Sequence, residues 1–149
     1  MNALELLKQD HQKVKGLFQE IRKSSDRSKQ KELFDKIDTE LEMHTHIEET
    51  IFYPAVEKHE EMKDMVRESL KEHNQVKILL REIEKITPDD EEFDEKFEDL
   101  IECVEHHAEE EEEGKMFPKL RQIMKAAELE QLGRELEAAK QKRPARKAG

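Results

Sequence analysis

Four histidines interrupt the apolar stripes of the sequence, at positions where an amphipathic helix would place a hydrophobic side chain. Each lies in its own stretch of regularly spaced leucine, isoleucine, valine and phenylalanine, and the four are His11, His44, His73 and His107. Two of these stretches add a glutamate four residues after the histidine, Glu48 and Glu111. Residues four apart share one face of a helix. Each His-x-x-x-Glu pair can therefore present an imidazole nitrogen and a carboxylate oxygen to the same small volume.

Six buried ionisable groups need compensation, because unpaired buried charge is costly. A hydrogen-bonded layer of imidazolium and carboxylate groups is the explanation that suits any one histidine taken alone. For six groups from four segments, a metal explains more, since coordination neutralises carboxylates and uses neutral imidazole. Nitrogen and oxygen donors favour iron or manganese over structural zinc, and the single cysteine, Cys103, excludes a Cys-based zinc site. Six ligands exceed what one ion with an open position needs, so we predict a dinuclear centre.

Helices must position these ligands, and we predict an all-α antiparallel up-down four-helix bundle with a short additional C-terminal helix. The polar run at 24–28, the fading pattern at 58–61 and the run at 87–90 separate four long helices. In that last run, Thr87 is predicted to be the N-cap and Pro88 the first helical residue. We assign residues 1–125 to the bundle, and residues 126–149 to a helix packed outside the core and a basic tail.

The predicted turns place the ligands at one height in the bundle. In an antiparallel hairpin, residues at equal height are equidistant from the turn, and the midpoint of 11 and 44 is 27.5. The corresponding midpoints for the second and third hairpins are 59.5 and 91, each at or beside a predicted turn. An error of two or three residues is only about 3–5 Å along a helix. All six side chains are therefore expected in one layer.

Composition limits the partners of the chain. Its 149 residues carry a net charge of −11, which argues against nucleic acid as the main partner because phosphate binding depends on lysine and arginine. The basic stretch 140–147 is the exception, and we interpret it as a solvated terminus. Neither a signal peptide nor an apolar run of about 20 residues is evident, so we expect a cytoplasmic protein without a membrane span.

Four segments of the sequence resemble the hemerythrin-like, or HHE cation-binding, family of four-helix-bundle proteins. They are QDHQKVKGLF, EMHTHIEETIFYPAV, KEHNQVKILL and VEHHAEEEEEGKMFPKL, and the likeness extends through AELEQLGRELEAAK to about residue 142. Both His-x-x-x-Glu segments lead to an aromatic–proline step, as in family members: Tyr53-Pro54 and Phe117-Pro118.

The resemblance implies a function for the six side chains. His11, His44, Glu48, His73, His107 and Glu111 would bind two iron ions with an oxo or hydroxo bridge, or manganese in their place, and the glutamates would bridge the ions. A protein of this kind would bind or sense dioxygen, nitric oxide or iron itself. A di-iron oxidase or peroxidase-type enzyme is the alternative. Dioxygen or nitric oxide is the expected small partner, and the sequence does not indicate a protein partner.

Two departures from the family pattern affect this expectation. Lys77 stands where the oxygen-carrying hemerythrins place a second histidine one turn along. This weakens the case for reversible dioxygen carriage and leaves room for a water, a carboxylate or a nearby tyrosine. Pro118 lies eleven residues after His107, whereas Pro54 lies ten after His44. A one-residue bulge would make Glu112, or the pair His106 and Glu110, rival ligands.

Three neighbouring side chains are given ordinary roles by the pattern. His46 is two residues from His44 and is expected to be exposed or to support a ligand from outside. Glu49 is expected to face solvent, with support of a neighbouring histidine as the alternative. Tyr53 could approach the site, but we interpret it as an interfacial aromatic residue.

Overall fold

The computed structural model describes residues 1–87 and 90–142, and it confirms an all-α fold. The helices, in chain order, are α1 (Ala3–Lys23), α2 (Arg27–Ile47), α3 (Tyr53–Val56), α4 (Lys63–Glu84), α5 (Glu91–Glu105), α6 (Phe117–Ile123) and α7 (Ala126–Lys142). A π-helical segment, Glu48–Phe52, joins α2 to α3, and a second, His106–Met116, joins α5 to α6. We call them the first and second π segments. A short 3₁₀ turn, Glu60–Met62, precedes α4.

Four long helical rods form the predicted antiparallel up-down bundle. The rods are α1, then α2 with the first π segment and α3, then α4, then α5 with the second π segment and α6. Short connections make successive rods antiparallel. The first rod begins at the predicted capping box, because the Asn2 side chain accepts from the Glu5 backbone N–H and the Glu5 carboxylate accepts from the Asn2 backbone N–H.

The fourth rod begins later than the sequence suggests. Asp90 is the N-cap of α5, and its carboxylate accepts the backbone N–H of Glu92 at 2.9 Å. The prediction of Thr87 as the N-cap is therefore wrong. Thr87 instead accepts the backbone N–H of Asp90 through its carbonyl at 3.0 Å, which closes a turn before the helix. Pro88 lies outside the described residues.

Two apolar clusters fill the bundle, and the ionisable layer lies between them. One cluster lies toward the first and third turns and contains Val14, Phe18, Ile21, Leu33, Phe34, Ile37, Leu41, Val76, Leu80, Ile83, Phe93, Phe97, Leu100 and Ile101. The other includes Leu4, Leu7, Ile47, Phe52, Tyr53, Val56, Met62, Val66, Met116, Phe117 and Leu120. Burying the bundle's aliphatic and aromatic side chains on both sides of the layer holds the four rods in register around it.

The C-terminal helix α7 belongs to the second of these clusters. It buries Leu129, Leu132 and Leu136 there, whereas the sequence suggests a helix outside the core. Gly133 permits this packing, because a Cβ at this position would lie only 2.8 Å from the carbonyl carbon of Asn2. The basic tail beyond Lys142 lies outside the described residues. Among the described residues, every helix is too short or too polar to cross a membrane.

Candidate metal centre

Five of the six side chains predicted from the sequence meet in the layer between the two clusters. They are His11, His44, Glu48, His73 and His107, and a sixth, Glu112, joins them. Potential ligand atoms of His11, His44, Glu48 and Glu112 all lie within 4.8 Å of one another, and so do those of Glu48, His73 and His107. We call these the first and second ligand groups. Glu48 belongs to both groups. The assignment of these side chains as ligands stays a prediction.

Glu111 does not lie in the layer, and Glu112, which the sequence analysis gave as its rival, lies there instead. The Glu112 side chain is 0% exposed, whereas that of Glu111 is 21% exposed and lies 3.1 Å from the Lys115 ammonium. The cause is the second π segment, whose i→i+5 hydrogen bonds place about one extra residue in each turn. The glutamate that shares a face with His107 is therefore five residues on rather than four. Glu48 keeps the four-residue spacing because the first π segment begins at Glu48 itself.

The rival pair His106 and Glu110 also lies outside the layer. Both side chains are more than half exposed, and they contact each other at 2.5 Å. On the other ring nitrogen, His106 Nε2 lies 3.5 Å from both Glu72 and Glu111. His106, Glu72 and Glu111 thus form a separate group of potential ligands near the surface.

The two buried glutamates contact histidines of both ligand groups. Glu48 Oε1 lies 2.8 Å from His73 Nε2 and 3.3 Å from His44 Nε2. Glu112 places one oxygen 3.1 Å from His11 Nε2 and the other 3.4 Å from His107 Nε2. Each carboxylate therefore lies between a histidine of the first hairpin and one of the second. Such positions suit carboxylates that bridge two cations.

A ring of four outer carboxylates orients the four histidines through their Nδ1 atoms. His44 contacts Asp10 at 3.0 Å, His73 contacts Glu49 at 2.7 Å, His107 contacts Glu72 at 2.6 Å, and His11 contacts Glu113 at 2.6 Å. Each carboxylate belongs to one rod and receives the histidine of the next, so the ring closes around the bundle. We infer that every Nδ1 carries the donated proton, which directs every Nε2 to the centre. The alternative role predicted for Glu49 is thus the observed one.

Among the described residues, two buried atoms at the centre make no hydrogen bond: His44 Nε2, whose contact with Glu48 Oε1 at 3.3 Å is ionic only, and Glu48 Oε2. Leaving such an atom unpaired costs about 1–3 kcal/mol, and more when it is charged. In addition, the Nε2 atoms of His73 and His107 lie 3.1 Å apart although each Nδ1 already donates to a carboxylate. Two facing acceptors repel each other unless a proton or a cation lies between them. These features fit a metal centre.

Without a cation, protons supply the missing positive charge. Burial alone would lower the pKa of His44, but the Glu48 carboxylate and the Asp10 hydrogen bond raise it to about 10. Burial would likewise raise the pKa of Glu48, yet the charge of His44 and hydrogen bonds from its neighbours hold it well below its ordinary value. The metal-free centre is therefore a cluster of imidazolium and carboxylate groups, and binding a metal must release protons.

Tyr53 reaches the centre, so the approach that the sequence analysis considered for it is observed in place of the interfacial role it preferred. Its hydroxyl donates to Glu112 Oε2 at 2.5 Å and lies 3.2–3.3 Å from Glu48 Oε1 and from the Nε2 atoms of His73 and His107. Burial and the negative charges of Glu112 and Glu48 raise its pKa well above the ordinary value. The available signal was its position five residues after Glu48, which a π turn brings back to the same face.

Lys77 points away from the centre. Its ammonium lies 3.0 Å from both oxygens of Glu49, and its side chain is half exposed. Lysine at this position therefore stabilises the carboxylate that supports His73. The phenol of Tyr53 occupies part of the space beside the second ligand group.

A small cavity of about 30 Å³ adjoins the histidines. The four histidines and Asp10 contribute to its wall, but the surface that faces the cavity is apolar, and the other lining residues are Val14, Leu41, Thr45, Val76, Val104 and Ala108. A single water molecule needs a cavity of roughly 10–15 Å³. The cavity has room for a ligand of two heavy atoms but not for an organic substrate.

Comparison with known proteins is consistent with this geometry. The model of the hemerythrin HHE cation-binding domain matches residues 2–120. A crystal structure of a hemerythrin HHE cation-binding domain-containing protein from Mycobacterium kansasii superposes with a TM-score of 0.84 at 29% identity, over 95% of this chain and 86% of that one.

A curated relative from Nostoc sp., named DNA nickase, is 33% identical over 142 residues. The match covers 95% of this chain but 40% of the relative, so the chain spans less than half of that protein's length. The domain match over most of the chain decides the assignment: the chain belongs to the hemerythrin HHE cation-binding domain family.

Proposed function

We propose that the centre holds two iron ions, one for each ligand group. His11 and His44 would bind the first ion, His73 and His107 the second, and Glu48 and Glu112 would bridge them. This proposal rests on the shared position of the two carboxylates and on the unpaired atoms His44 Nε2 and Glu48 Oε2. Nitrogen and oxygen donors without sulfur suit iron, and manganese is the alternative.

Tyr53 would complete the second group. The second ion would have two histidines and two shared carboxylates as donors. A histidine at residue 77 would add a third nitrogen, but this residue is lysine. The Tyr53 oxygen lies within 3.3 Å of both histidine nitrogens of this group, so it can serve as a further donor after losing its proton. A nearby cation would lower the pKa that Glu112 and Glu48 raise.

The function we propose is the binding or sensing of a diatomic molecule, dioxygen or nitric oxide. Bound iron would supply reversible electron transfer to such a ligand. The residues supply the rest: the outer carboxylates fix the histidines, and the apolar wall excludes water. The observation that carries this proposal is the cavity of about 30 Å³ that lies directly against the histidines.

An oxidase or peroxidase-type activity is the second candidate, and Tyr53 favours it. A buried phenol beside a redox metal can give up an electron and a proton, and a cavity of this size also admits peroxide. The name of the Nostoc relative, DNA nickase, raises a third possibility, that the chain acts on DNA. The net charge of −11 argues against DNA binding by this chain, because an acidic surface repels phosphate.

Metal analysis and visible spectroscopy test the proposal. Protein purified from iron-supplied cells should contain close to two irons per chain, and the reduced protein should bind nitric oxide or dioxygen with a reversible change in visible absorption. A content below about 0.2 metal per chain, with no loss of stability on chelation, would contradict the metal site. Irreversible oxidation with peroxide turnover would instead support the enzymatic candidate.

A further inference from the structure

A second small void lies next to the cavity at the histidines. It measures about 20 Å³ and lies between α1 and the fourth rod. The two voids share three wall residues: His11, Val104 and Ala108. The outer void is also lined by Gln12, Lys15, Phe18, Glu105, Glu109 and Glu113. These added residues include exposed side chains of both helices, so the outer void lies between the cavity and the protein surface.

An ion pair spans the outer void. The Lys15 ammonium, on α1, lies 2.8 Å from Glu109 Oε1 in the second π segment. Both side chains are nearly half exposed. An exposed pair of this kind is weakly held and can open and close readily. Between the two voids, the smallest shared side chain is the methyl group of Ala108.

We propose that these two voids form the path by which a diatomic ligand reaches the centre, with Ala108 at the narrow point and the Lys15–Glu109 pair as its outer gate. This inference rests on the proposed function, since it assumes a ligand that enters the cavity. It adds the direction of entry, between α1 and the second π segment. It also identifies the Lys15–Glu109 pair, which lies outside the cavity, as a control on the rate of binding that does not contact the bound ligand.

The chemistry of the walls favours a neutral ligand. Phe18, Val104 and Ala108 provide apolar surface along the path. Three carboxylates, Glu105, Glu109 and Glu113, line the outer void against a single lysine. Glu113 is engaged by His11 and Glu109 by Lys15, yet the sum of charges repels anions. Dioxygen and nitric oxide should therefore enter more readily than anions of similar size such as azide.

Opening the gate gives the first test. In the reduced iron-loaded protein, Lys15→Ala and Glu109→Gln should raise the association rate of nitric oxide by up to about fivefold. The dissociation rate should rise by the same factor, because a gate changes the path and not the bound state. The dissociation constant should then stay unchanged. Lys13→Ala is the matched control, because Lys13 is on the same helix and lines neither void. Its ammonium pairs with Glu40 Oε1 at a distance of 2.8 Å.

Ala108→Val gives the opposite test. The larger side chain narrows the passage between the two voids and should slow both the association and the dissociation of the ligand. A readout that does not need iron is available as well. Dissolved dioxygen is paramagnetic, so in the metal-free protein it should speed the NMR relaxation of the Ala108 and Val104 methyl groups. This effect should be stronger in Lys15→Ala than in Lys13→Ala.

Three outcomes would overturn the path. Rates in Lys15→Ala equal to those in Lys13→Ala would show that the pair is not a gate. A changed dissociation constant in Lys15→Ala would place its effect at the centre. No effect of dissolved dioxygen on Ala108 in the metal-free protein would exclude entry at this point. An iron-loaded protein that binds no diatomic ligand would contradict the proposed function, and the metal-free relaxation measurement separates that failure from a failure of the path.

Discussion

His11 and His44 come from the first helical hairpin of the bundle, whereas His73 and His107 come from the second. The two pairs receive nearly equal support, since each histidine donates its Nδ1 proton to a carboxylate of the preceding rod. Their inner surroundings differ. The first pair faces Glu48 and Glu112 alone, and the second also faces the hydroxyl of Tyr53. The bundle thus orients both pairs in one way and gives them different donors.

If the centre holds two ions as proposed, this difference would give the two metal positions different tasks. The first position would have two imidazole nitrogens together with the carboxylates of Glu48 and Glu112. The second would also depend on the phenol of Tyr53, which the local π turn brings inward. We therefore expect the first position to bind its ion more tightly, and the second to set the redox and spectral properties. The predictions below test this asymmetry.

Loss of Glu112 should have the largest effect, because this carboxylate belongs to both positions. Glu112→Gln removes a bridging charge that is 0% exposed, and we expect metal affinity to fall by more than about 100-fold, beyond the effect of an outer carboxylate. Glu111→Gln is the matched control and should leave the metal content unchanged. Competition with a chelator measures both. Equal losses in the two variants would mean that the second π segment does not set the register.

The comparison of Glu111 with Glu112 also shows how far the sequence could predict this centre. A periodicity of 3.6 residues selects the four histidines and Glu48, since His11, His44 and His73 lie in α-helix and Glu48 and His107 lie within the first two residues of the π segments. It fails in the eleven-residue second π segment, where the spacing changes without a distinctive local signal. The aromatic–proline offset of eleven rather than ten residues indicated the shift but could not choose among Glu112, His106 and Glu110.

Contacts between rods were less predictable still. Asp10, Glu72 and Glu113 each adjoin a ligand in sequence but support a histidine of a different rod. Helical periodicity describes one helix at a time, so it assigns such residues to the solvent-facing side. Only the relative rotation and height of neighbouring rods decide which carboxylate meets which imidazole. Most of the fold could be predicted from apolar spacing, whereas the support of the site depended on this packing.

Removal of one outer carboxylate from each half should have the next largest effect. Asp10→Asn frees His44 in the first half, and Glu72→Gln frees His107 in the second. Each change should lower metal affinity by about 10–100-fold, because an uncharged amide is a weaker acceptor for the Nδ1 proton and can also present its NH2 group, so the tautomer and orientation of the imidazole are less well fixed. Isothermal titration of the two ions in sequence would locate each loss. A loss of the same ion in both variants would contradict the division into halves.

The pH dependence of the metal-free protein tests the charge of the first half. The pKa of His44 is raised from its ordinary 6.5 to about 10, so its ionic contacts stabilise the fold fully below pH 6.5 and are lost as the pH rises through about 10. We expect the metal-free protein to require less urea for unfolding at pH 10 than at pH 7. His44→Gln should weaken this dependence. If that variant and the parent protein lose the same stability, the charge of His44 is not involved.

Tyr53→Phe should remove the difference in donors between the two metal positions. We expect a smaller loss of metal affinity than in the carboxylate variants. It removes one oxygen donor from the second position, and we expect affinity there to fall by about tenfold or less. The visible absorption of the iron-loaded protein should lose the band that a phenolate donor produces. His46→Phe, a change near the layer but outside it, should preserve the spectrum. An unchanged spectrum in Tyr53→Phe would show that the phenol acts only as a hydrogen-bond donor.

The smallest effect is expected from Lys140, which connects α7 to the first half. Its ammonium contacts Asp10 at 2.5 Å, and Asp10 in turn accepts the Nδ1 proton of His44 at 3.0 Å. Lys140→Met should let Asp10 shift toward solvent and lower the affinity for the first ion by about two- to fivefold. Lys142→Met, on the exposed side of the same helix, is the matched control.

A structural role for Lys140 would move different observables from a positioning role. If the lysine only anchors α7, the midpoint of thermal unfolding falls in both the metal-free and the loaded protein, while the affinities keep their ratio. If it positions Asp10, the first ion alone is bound more weakly, and Lys140→Arg restores it. Lys77→Met should likewise weaken the binding of the second ion, because Lys77 contacts Glu49, which supports His73. Opposite ion selectivity in these two variants would establish that each half of the centre is supported by its own external cation.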